Sequence, residues 1–261
     1  MDGASFQGRV AIVTGASSGI GRATALALAD HGACVALAAR RTSALEELAA
    51  QIVSKGREAL VVTTDVTRQD QVERLMSQTL ARWGQVDILV ANSGQYIRSP
   101  VAKVSPSILE QSMAINFYGN VYPILLVLPH MLARQSGHIV LVSTMDAKKG
   151  LPLDAPYVAA KAAMSGFCEV LRQELRGSGI FVTTVFPARV DTPMIDHLKV
   201  PWISAKIPPE AVSRAILRGI QRRKAEIILP PRAILLHALN FFSPGLADSA
   251  ARFFHLQGWE N

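Results

Sequence analysis

Short apolar runs alternate with longer stretches of mixed polar and apolar residues along most of this 261-residue chain. A short apolar run between turn residues predicts a buried strand, and apolar residues recurring every three or four positions predict a helix. The predicted strands cover residues 10–13, 33–39, 60–64, 88–91, 138–142, 180–186 and 226–229. The predicted helices cover residues 19–30, 43–55, 68–82, 107–134, 156–176 and 209–222.

This alternation predicts one α/β domain built on a parallel sheet. A helix between two strands carries the chain back across the sheet, so that the next strand runs in the same direction. The predicted strands are apolar on both faces, which is typical of a sheet covered by helices on both sides. We therefore expect a doubly wound parallel sheet of about seven strands, complete by residue 229.

The last part of the chain, residues 230–261, departs from this pattern. Residues 232–242 are apolar on most faces, Ser243-Pro244-Gly245 interrupts them, and apolar residues recur at helical spacing over 246–254. These residues predict a C-terminal apolar helical extension of a domain over 1–229. Two interpretations are open: a helix pair packed on the body or on a partner subunit, or a peripheral membrane contact with Arg232 and Arg252 facing lipid headgroups.

Composition excludes several classes of protein. Hydrophobic residues make up 49% of the chain and charged residues 18%, which excludes a disordered chain. Two cysteines, Cys34 and Cys168, exclude a disulfide scaffold or a Cys-rich zinc site, and we expect no metal. Residues 1–7 lack the features of a secretory signal, and no apolar run is long enough to span a membrane. These features predict a cytoplasmic protein, with membrane association open through the extension.

The net charge of +7 suits nucleic acid, anionic lipid or a phosphorylated small molecule. The basic residues are dispersed and do not alternate with aromatic residues, so we expect no nucleic-acid partner.

A glycine-rich turn joins the first predicted strand to the first predicted helix. Its glycines follow the spacing G-x-x-x-G-x-G, and its residues are Gly15, Ser17, Ser18, Gly19, Ile20 and Gly21. Glycine lets the backbone turn tightly, so that a pyrophosphate can reach the free N–H groups of the helix N-terminus. A glycine turn after a strand is also common as simple structural punctuation.

Two arginines, Arg40 and Arg41, end the second predicted strand. A dinucleotide site for NAD usually places a carboxylate there, whereas a basic residue accepts the 2′-phosphate of NADP. The pair predicts NADP, with an ordinary solvated loop as the alternative.

Tyr157 and Lys161 lie four residues apart on one face of a predicted helix. A nearby cation favours phenolate, which suits a general acid or base. In isolation such a pair is more often part of an ordinary amphipathic helix. The hydroxyl pair Ser143-Thr144 ends the preceding strand, where ligands bind in such sheets.

Six motifs in this order resemble the short-chain dehydrogenase/reductase family, from about residue 8 to residue 229. They are Thr14 to Gly21, Asn92-Ser93-Gly94, Asn116, Ser143-Thr144, Tyr157 with Lys161, and Pro187 to Thr192. The resemblance implies a Rossmann-type oxidoreductase that passes hydride between nicotinamide and a carbonyl or secondary alcohol. It also implies a homo-dimer or tetramer, paired through the helices beginning near Ser107 and Pro156.

The same resemblance implies roles for individual residues. Tyr157 would transfer the proton, and Lys161 would bind the nicotinamide ribose and lower the pKa of Tyr157. Asn116 would hold a relay water, or would simply mark a helix kink. The remaining cofactor contacts would be Asn92 and Gly94 beside the adenosine ribose, Asp65 and Val66 at the adenine, and Pro187, Val190 and Thr192 at the nicotinamide. Asp65 could equally cap the next helix.

The sequence departs from the family pattern at three places. Ser93 and Ala188 stand where the family has alanine and glycine, and Ala188 is expected to shift the nicotinamide loop. The family's catalytic serine precedes the tyrosine by 13 residues, and 157 − 13 = 144 is a threonine. Ser143 should point to the opposite face of the strand. We therefore assign the catalytic hydroxyl to Thr144, with Ser143 in reserve.

The substrate loop of the family corresponds to residues 193–203, which are mostly apolar. They predict a hydrophobic substrate. The resemblance to the family implies a carbonyl compound such as a steroid, a 3-oxoacyl group or a sphingoid-like lipid ketone, and a role in lipid metabolism. Lys148 and Lys149 either meet an anionic substrate group or lie in a solvated loop. The alternative function is a catalytically weak dinucleotide-binding sensor or scaffold of the same fold.

Overall fold

The computed structural model describes residues 6–260 and contains a seven-stranded parallel sheet. Most of the N-terminal segment 1–7, for which no signal function is expected, lies outside the described residues, as does residue 261. The sheet strands are β1 (Val10–Thr14), β2 (Cys34–Ala39), β3 (Ala59–Thr63), β4 (Ile88–Ala91), β5 (Gly137–Val142), β6 (Ile180–Pro187) and β8 (Glu226–Leu229). They lie in the order β3-β2-β1-β4-β5-β6-β8.

Helices cover both faces of this sheet, and each face has its own apolar core. The helices are α1 (Gly19–Asp30), α2 (Thr42–Val53), α3 (Gln69–Trp83), α4 (Pro106–Met113), α5 (Gly119–Arg134), α6 (Ala155–Glu174) and α7 (Pro209–Gln221). Leu28, Leu45 and Ile216 bring α1, α2 and α7 into one core. Ile124 and Met164 bring α5 and α6 into the other. The predicted doubly wound fold is confirmed.

The sequence prediction is wrong about burial at the edges of the sheet. Thr63 in β3 and Glu226 in β8 are exposed, and most other residues of these two strands are only partly buried. Each strand has a neighbour on one side only, because β3 and β8 are the edges of the sheet. The five central strands are almost wholly buried, as the apolar runs predicted.

The long helix predicted over 107–134 is divided in the structure. A π-helical segment, Ala114–Tyr118, separates α4 from α5. Asn116 lies inside it, and its side chain bonds the backbone of Gln95 in the loop after β4. This long-range contact accompanies the change of helical period.

The C-terminal extension forms two short helices and a two-residue strand. Helices α8 (Ile234–Phe242) and α9 (Pro244–Phe253) pack on each other, and β9 (Trp259–Glu260) pairs antiparallel with β7 (Leu198–Lys199). Within residues 6–260, no helix is long and apolar enough to cross a membrane.

Candidate active site

The glycine-rich turn lies where the strand order reverses between β1 and β4, which is where ligands bind in open α/β sheets. Gly15 has φ +65°, and a Cβ there would lie 2.8 Å from the Nδ2 atom of Asn92. Asn92 in turn donates from Nδ2 to the Thr14 carbonyl at 3.0 Å. Gly19 has φ +54°. Backbone and amide therefore pack closely here, with no space for side chains.

The N-terminus of α1 opens into the cleft beside this turn. Its N-cap residue, Ser18, forms no side-chain capping hydrogen bond among the described residues. The first N–H groups of the helix are thus available to an anion, with the favourable end of the helix dipole behind them. This arrangement fits the pyrophosphate of a dinucleotide.

Arg40 and Arg41 follow β2 directly, and both side chains line the same cleft. Arg41 donates from Nε and Nη2 to the Ser17 hydroxyl at 3.3 and 3.1 Å, so its guanidinium lies over the glycine turn. Both arginines are exposed, and neither forms an ion pair with a carboxylate of residues 6–260. No carboxylate neutralises either guanidinium, and Arg41 already lies at the glycine turn through its contact with Ser17, so both can meet a phosphate there.

Asp65 and Val66 line the cleft on the far side of this arginine pair. The Asp65 carboxylate accepts from the backbone N–H and the hydroxyl of Thr67, at 3.0 and 2.8 Å. Asp65 is not a helix cap, because α3 begins after Arg68. Its contacts instead shape the loop that edges the cleft.

The π-helical segment places Asn116 beside Lys161 and Gly94. A Cβ on Gly94 would lie 3.0 Å from Asn116 Oδ1 and 3.5 Å from Lys161 Nζ. Both polar atoms of the Asn116 side chain bond the backbone of Gln95, each at 3.0 Å. The backbone carbonyl of Asn116 accepts a hydrogen bond from Asn120 Nδ2 at 3.0 Å. Asn116 thus fixes the loop after β4.

The two neighbouring hydroxyls at the end of β5 have different partners. Ser143 Oγ lies 2.9 Å from Ser165 Oγ and donates to the Lys161 carbonyl, so it is used in packing β5 against α6. Thr144 donates to the Asp146 carboxylate at 3.3 Å and lines the cleft together with Tyr157; burial raises the pKa of the Tyr157 phenol, and Thr144 lowers it by a smaller amount. The geometry favours Thr144 as the hydroxyl partner of the tyrosine.

Burial dominates the protonation of the Tyr157–Lys161 pair. It raises the pKa of the Tyr157 phenol well above its usual range, with smaller contributions from nearby acidic groups. Burial also lowers the pKa of Lys161 to about 7. Lys161 Nζ donates to the Val142 carbonyl at 2.9 Å and lies 6.0 Å from the centre of the Tyr157 ring. The expected lowering of the tyrosine pKa by Lys161 is not seen in this structure, where burial and the neighbouring acidic groups raise that pKa.

Three further residues that the sequence motifs did not identify line the substrate end of the cleft: Tyr96, Asp146 and Arg189. The Tyr96 ring packs edge-to-face on Tyr157, with 5.1 Å between centroids. The Asp146 carboxylate accepts from the Thr144 hydroxyl at 3.3 Å, and burial raises its pKa to about 6. Asp146 lies two residues after Thr144, and this nearness to the hydroxyl pair could have identified it from the sequence.

Ala188, which stands where the family has glycine, lies directly after β6 in the loop that the resemblance assigns to the nicotinamide. Ala188 is not among the residues with positive φ, and its N–H donates to the Leu229 carbonyl at 2.6 Å. The expected shift of the loop therefore has no cause in the backbone. Pro187, Val190 and Thr192 all line the cleft, and Thr192 packs against Gly19.

Lys148 and Lys149 do not face the cleft. Lys148 forms an ion pair with Glu226 at 3.0 Å and covers the Phe186 ring, while Lys149 pairs with Asp248 in α9. Neither lysine lines the cleft, which leaves them as structural contacts.

The cleft has a volume of about 560 Å³, and it is lined both by predicted cofactor-binding residues and by the predicted catalytic residues Thr144, Tyr157 and Lys161. The glycine turn and the arginine pair lie toward β1 and β2, and Tyr157 and Lys161 lie on α6 beside β5. Apolar Met194 and Ile195 line it beyond the nicotinamide loop. Such a cleft can hold an extended dinucleotide and a small substrate together.

The chain is similar to known oxidoreductases over most of its length. A family model described as short chain dehydrogenase matches residues 9–200. An uncharacterized oxidoreductase of Listeria monocytogenes is 38% identical over 195 residues, which cover 74% of this chain and 79% of the relative. A fatty acyl-CoA reductase of Acinetobacter baylyi is 34% identical over 223 residues, covering 85% of this chain and 76% of the relative.

Solved structures share the fold. A short chain dehydrogenase/reductase from Burkholderia phymatum, in complex with NAD, has a TM-score of 0.86 at 25% identity, covering 93% of this chain and 96% of that chain. An alcohol dehydrogenase from the archaeon Thermococcus sibiricus, complexed with 5-hydroxy-NADP, has a TM-score of 0.77 at 25% identity. The match covers 85% of this chain and 95% of that chain. The fold thus accepts either nicotinamide dinucleotide.

Proposed function

Because this chain belongs to the short-chain dehydrogenase/reductase family of oxidoreductases, we propose that it transfers hydride between NADP(H) and the carbonyl or secondary alcohol of a hydrophobic substrate. The observation that carries the proposal is the cleft itself. One end presents two arginines that have no carboxylate partner among the described residues, beside a free helix N-terminus, and the other end brings together Tyr157, Thr144 and Lys161.

The proposed chemistry divides between cofactor and protein. The nicotinamide, when bound, supplies or accepts the hydride. Tyr157 gives its phenolic proton to the carbonyl oxygen during reduction, and the Thr144 hydroxyl turns from Asp146 to donate a second hydrogen bond to that oxygen. Lys161 lies on the same face of α6, where it binds the ribose and holds a proton close to the phenol.

The choice of NADP over NAD rests on Arg40 and Arg41. Two forked guanidiniums stand where an NAD site would carry a carboxylate, and both are exposed and unpaired within residues 6–260. Charge-assisted hydrogen bonds from arginine to phosphate are stronger than neutral ones. The pair therefore favours the cofactor with the additional phosphate.

The substrate class rests on the apolar residues beyond the nicotinamide loop. Met194 and Ile195 line the cleft, while Tyr96, Asp146 and Arg189 supply polar groups near the reacting end. A substrate with one polar carbonyl end and an apolar body matches this division. The fatty acyl-CoA reductase among the relatives is in line with a lipid ketone or acyl group.

The test of the activity is oxidation of NADPH by the purified protein with a panel of aliphatic and steroid ketones. Tyr157→Phe removes only the transferred proton, so we expect turnover to fall by about 10²- to 10⁴-fold while NADPH still binds. Tyr118→Phe is the matched control, because Tyr118 is exposed and lies outside the cleft. NADPH binding without any turnover in the wild-type protein would instead identify a dinucleotide sensor or scaffold.

The cofactor assignment has its own test in the double variant Arg40→Ala/Arg41→Ala. Loss of charge-assisted hydrogen bonds should weaken NADPH binding by about tenfold to a hundredfold, with little change for NADH. Fluorescence titration with both cofactors measures this, and Arg222→Ala serves as an exposed control outside the cleft. Equal losses for NADPH and NADH, or a native preference for NADH, would contradict the assignment.

A further inference from the structure

Two arginines beside the active site bond the carbonyls of the C-terminal segment. Arg98 donates from Nη2 to the Gln257 carbonyl at 3.1 Å, and Arg189 donates from Nη2 to the Leu256 carbonyl at 2.6 Å. The Arg98 side chain and the whole of Arg189 are each only 9% exposed. A guanidinium so far from water requires acceptors for its donors.

Arg98 also ties the segment to the helix that carries Tyr157. Its Nε donates to the fully buried carboxylate of Asp154 at 3.0 Å, and Asp154 immediately precedes α6. The same carboxylate accepts from the Tyr96 hydroxyl at 2.8 Å. Since Tyr96 packs edge-to-face on Tyr157, a continuous set of contacts runs from Gln257 to the reacting end of the cleft.

Beyond Gln257 the chain joins the substrate loop. Strand β9 pairs with β7, where Lys199 lies opposite Trp259. Gly258 allows this approach, because it has φ +65° and a Cβ there would lie 2.6 Å from the Lys199 carbonyl. Leu198 of β7 is buried, and Ile195, three residues earlier, lines the cleft.

We propose that Arg98 and Arg189 hold residues 256–260 as a C-terminal strap that fixes the substrate end of the cleft and so selects among substrates. The strap acts on three cleft residues: Arg189 by direct bonding, Tyr96 through Asp154, and Ile195 through β7. Arg98 and Gly258 are accordingly positioning residues. The inference deepens the proposed oxidoreductase function and rests on it for the selectivity readout.

The test compares the wild-type protein with Arg98→Gln and Gly258→Ala. Arg98→Gln leaves the buried Asp154 unpaired and destabilises the fold, so Gly258→Ala is the second variant, because it displaces the strap while Arg98 and Asp154 stay paired. Arg172→Gln is the control, since Arg172 is exposed on α6 outside the cleft. The readouts are kcat and KM for 2-dodecanone and 2-butanone, NADPH binding, and amide hydrogen exchange of Leu198 and Lys199.

A strap that shapes the cleft predicts a specific combination of results. The ratio of kcat/KM for 2-dodecanone to that for 2-butanone should change by about tenfold in both strap variants, mainly through KM. Amide exchange at Leu198 and Lys199 should accelerate, while NADPH binding stays as in the wild type. A purely structural role would lower kcat/KM equally for both ketones.

Either of two results in Gly258→Ala would overturn the proposed role of the strap. One is an unchanged ratio of kcat/KM for the two ketones, and the other is unchanged amide exchange at Leu198 and Lys199. Failure of the proposed function is distinguishable. It would be seen as no turnover of any ketone by the wild-type protein, and the exchange experiment would then still decide whether Gly258 holds the strap against β7.

Discussion

At the scale of single residues, burial sets the chemistry of the candidate site more strongly than the pairing of charges. Burial raises the pKa of the Tyr157 phenol further above neutral pH, and it lowers the pKa of Lys161 to about 7. A raised pKa makes the phenol a weaker acid, so the proposed proton transfer to a carbonyl oxygen depends on a cation close to the phenol. The sequence identified both residues from their spacing, but spacing carries no information about how far water is excluded.

Thr144 offers a direct test of the hydroxyl assignment. Thr144→Ser keeps the hydroxyl and should retain most activity, whereas Thr144→Val removes a donor to the reacting oxygen and should cost about a hundredfold in kcat. Ser143→Ala is the matched control, because Ser143 bonds Ser165 and the Lys161 carbonyl. Steady-state NADPH oxidation measures all three variants, and a crippled Ser143→Ala with an active Thr144→Val would reverse the assignment.

At the scale of elements, the seven sheet strands and most helices follow from the apolar pattern to within a few residues. The π-segment could not be predicted, because Asn116 is bonded to Gln95, a partner distant in sequence. The two-residue strands β7 and β9 are too short to show any period, and their pairing joins residues far apart along the chain. Local patterns predict local structure, and these features are tertiary.

The glycine turn yields a prediction at this scale. A Cβ on Gly21 would lie 2.6 Å from Asn92 Nδ2 and closer still to the Gly15 carbonyl. Forcing a methyl group into such a packed site costs about 1–3 kcal/mol, so Gly21→Ala should weaken NADPH binding by at least about tenfold. Gly166→Ala is the control, because nothing lies within 4 Å of a Cβ there. Titration with NADPH and thermal unfolding report the two effects, and unimpaired binding by Gly21→Ala would show that the turn tolerates a side chain.

At the scale of the whole molecule, one part of the C-terminal extension is hydrogen-bonded to the rest of the chain and another part is exposed and apolar. Its end is bonded into the body through Arg98 and Arg189, whereas α8 and α9 expose large apolar side chains. Leu235, Phe242 and Phe253 are 70%, 83% and 77% exposed in the single chain. A run of such residues is rare on a soluble monomer, and we propose that a second copy of the chain or a membrane covers them.

Surface variants separate these two coverings. Burying one such side chain is worth about 1.5–3 kcal/mol, so Leu235→Ser/Phe242→Ser should weaken whichever association covers them. Light scattering measures the mass of the protein, and flotation with anionic liposomes measures membrane binding. Val101→Ser is the control, since Val101 is 73% exposed and lies outside the extension. A loss of mass identifies the subunit contact and a loss of flotation the membrane. Unchanged mass in a protein that never floats would show that neither covers this face.

The ion pair between Lys149 and Asp248 gives the extension a dependence on ionic strength. Asp248 is half exposed, so dissolved salt screens this attachment of α9 to the loop after β5. The arginine–carbonyl bonds at Leu256 and Gln257 are partly buried, so salt screens them less. Concentrated salt should therefore loosen α9 while the last residues stay in place, so that the extension pivots about its own end.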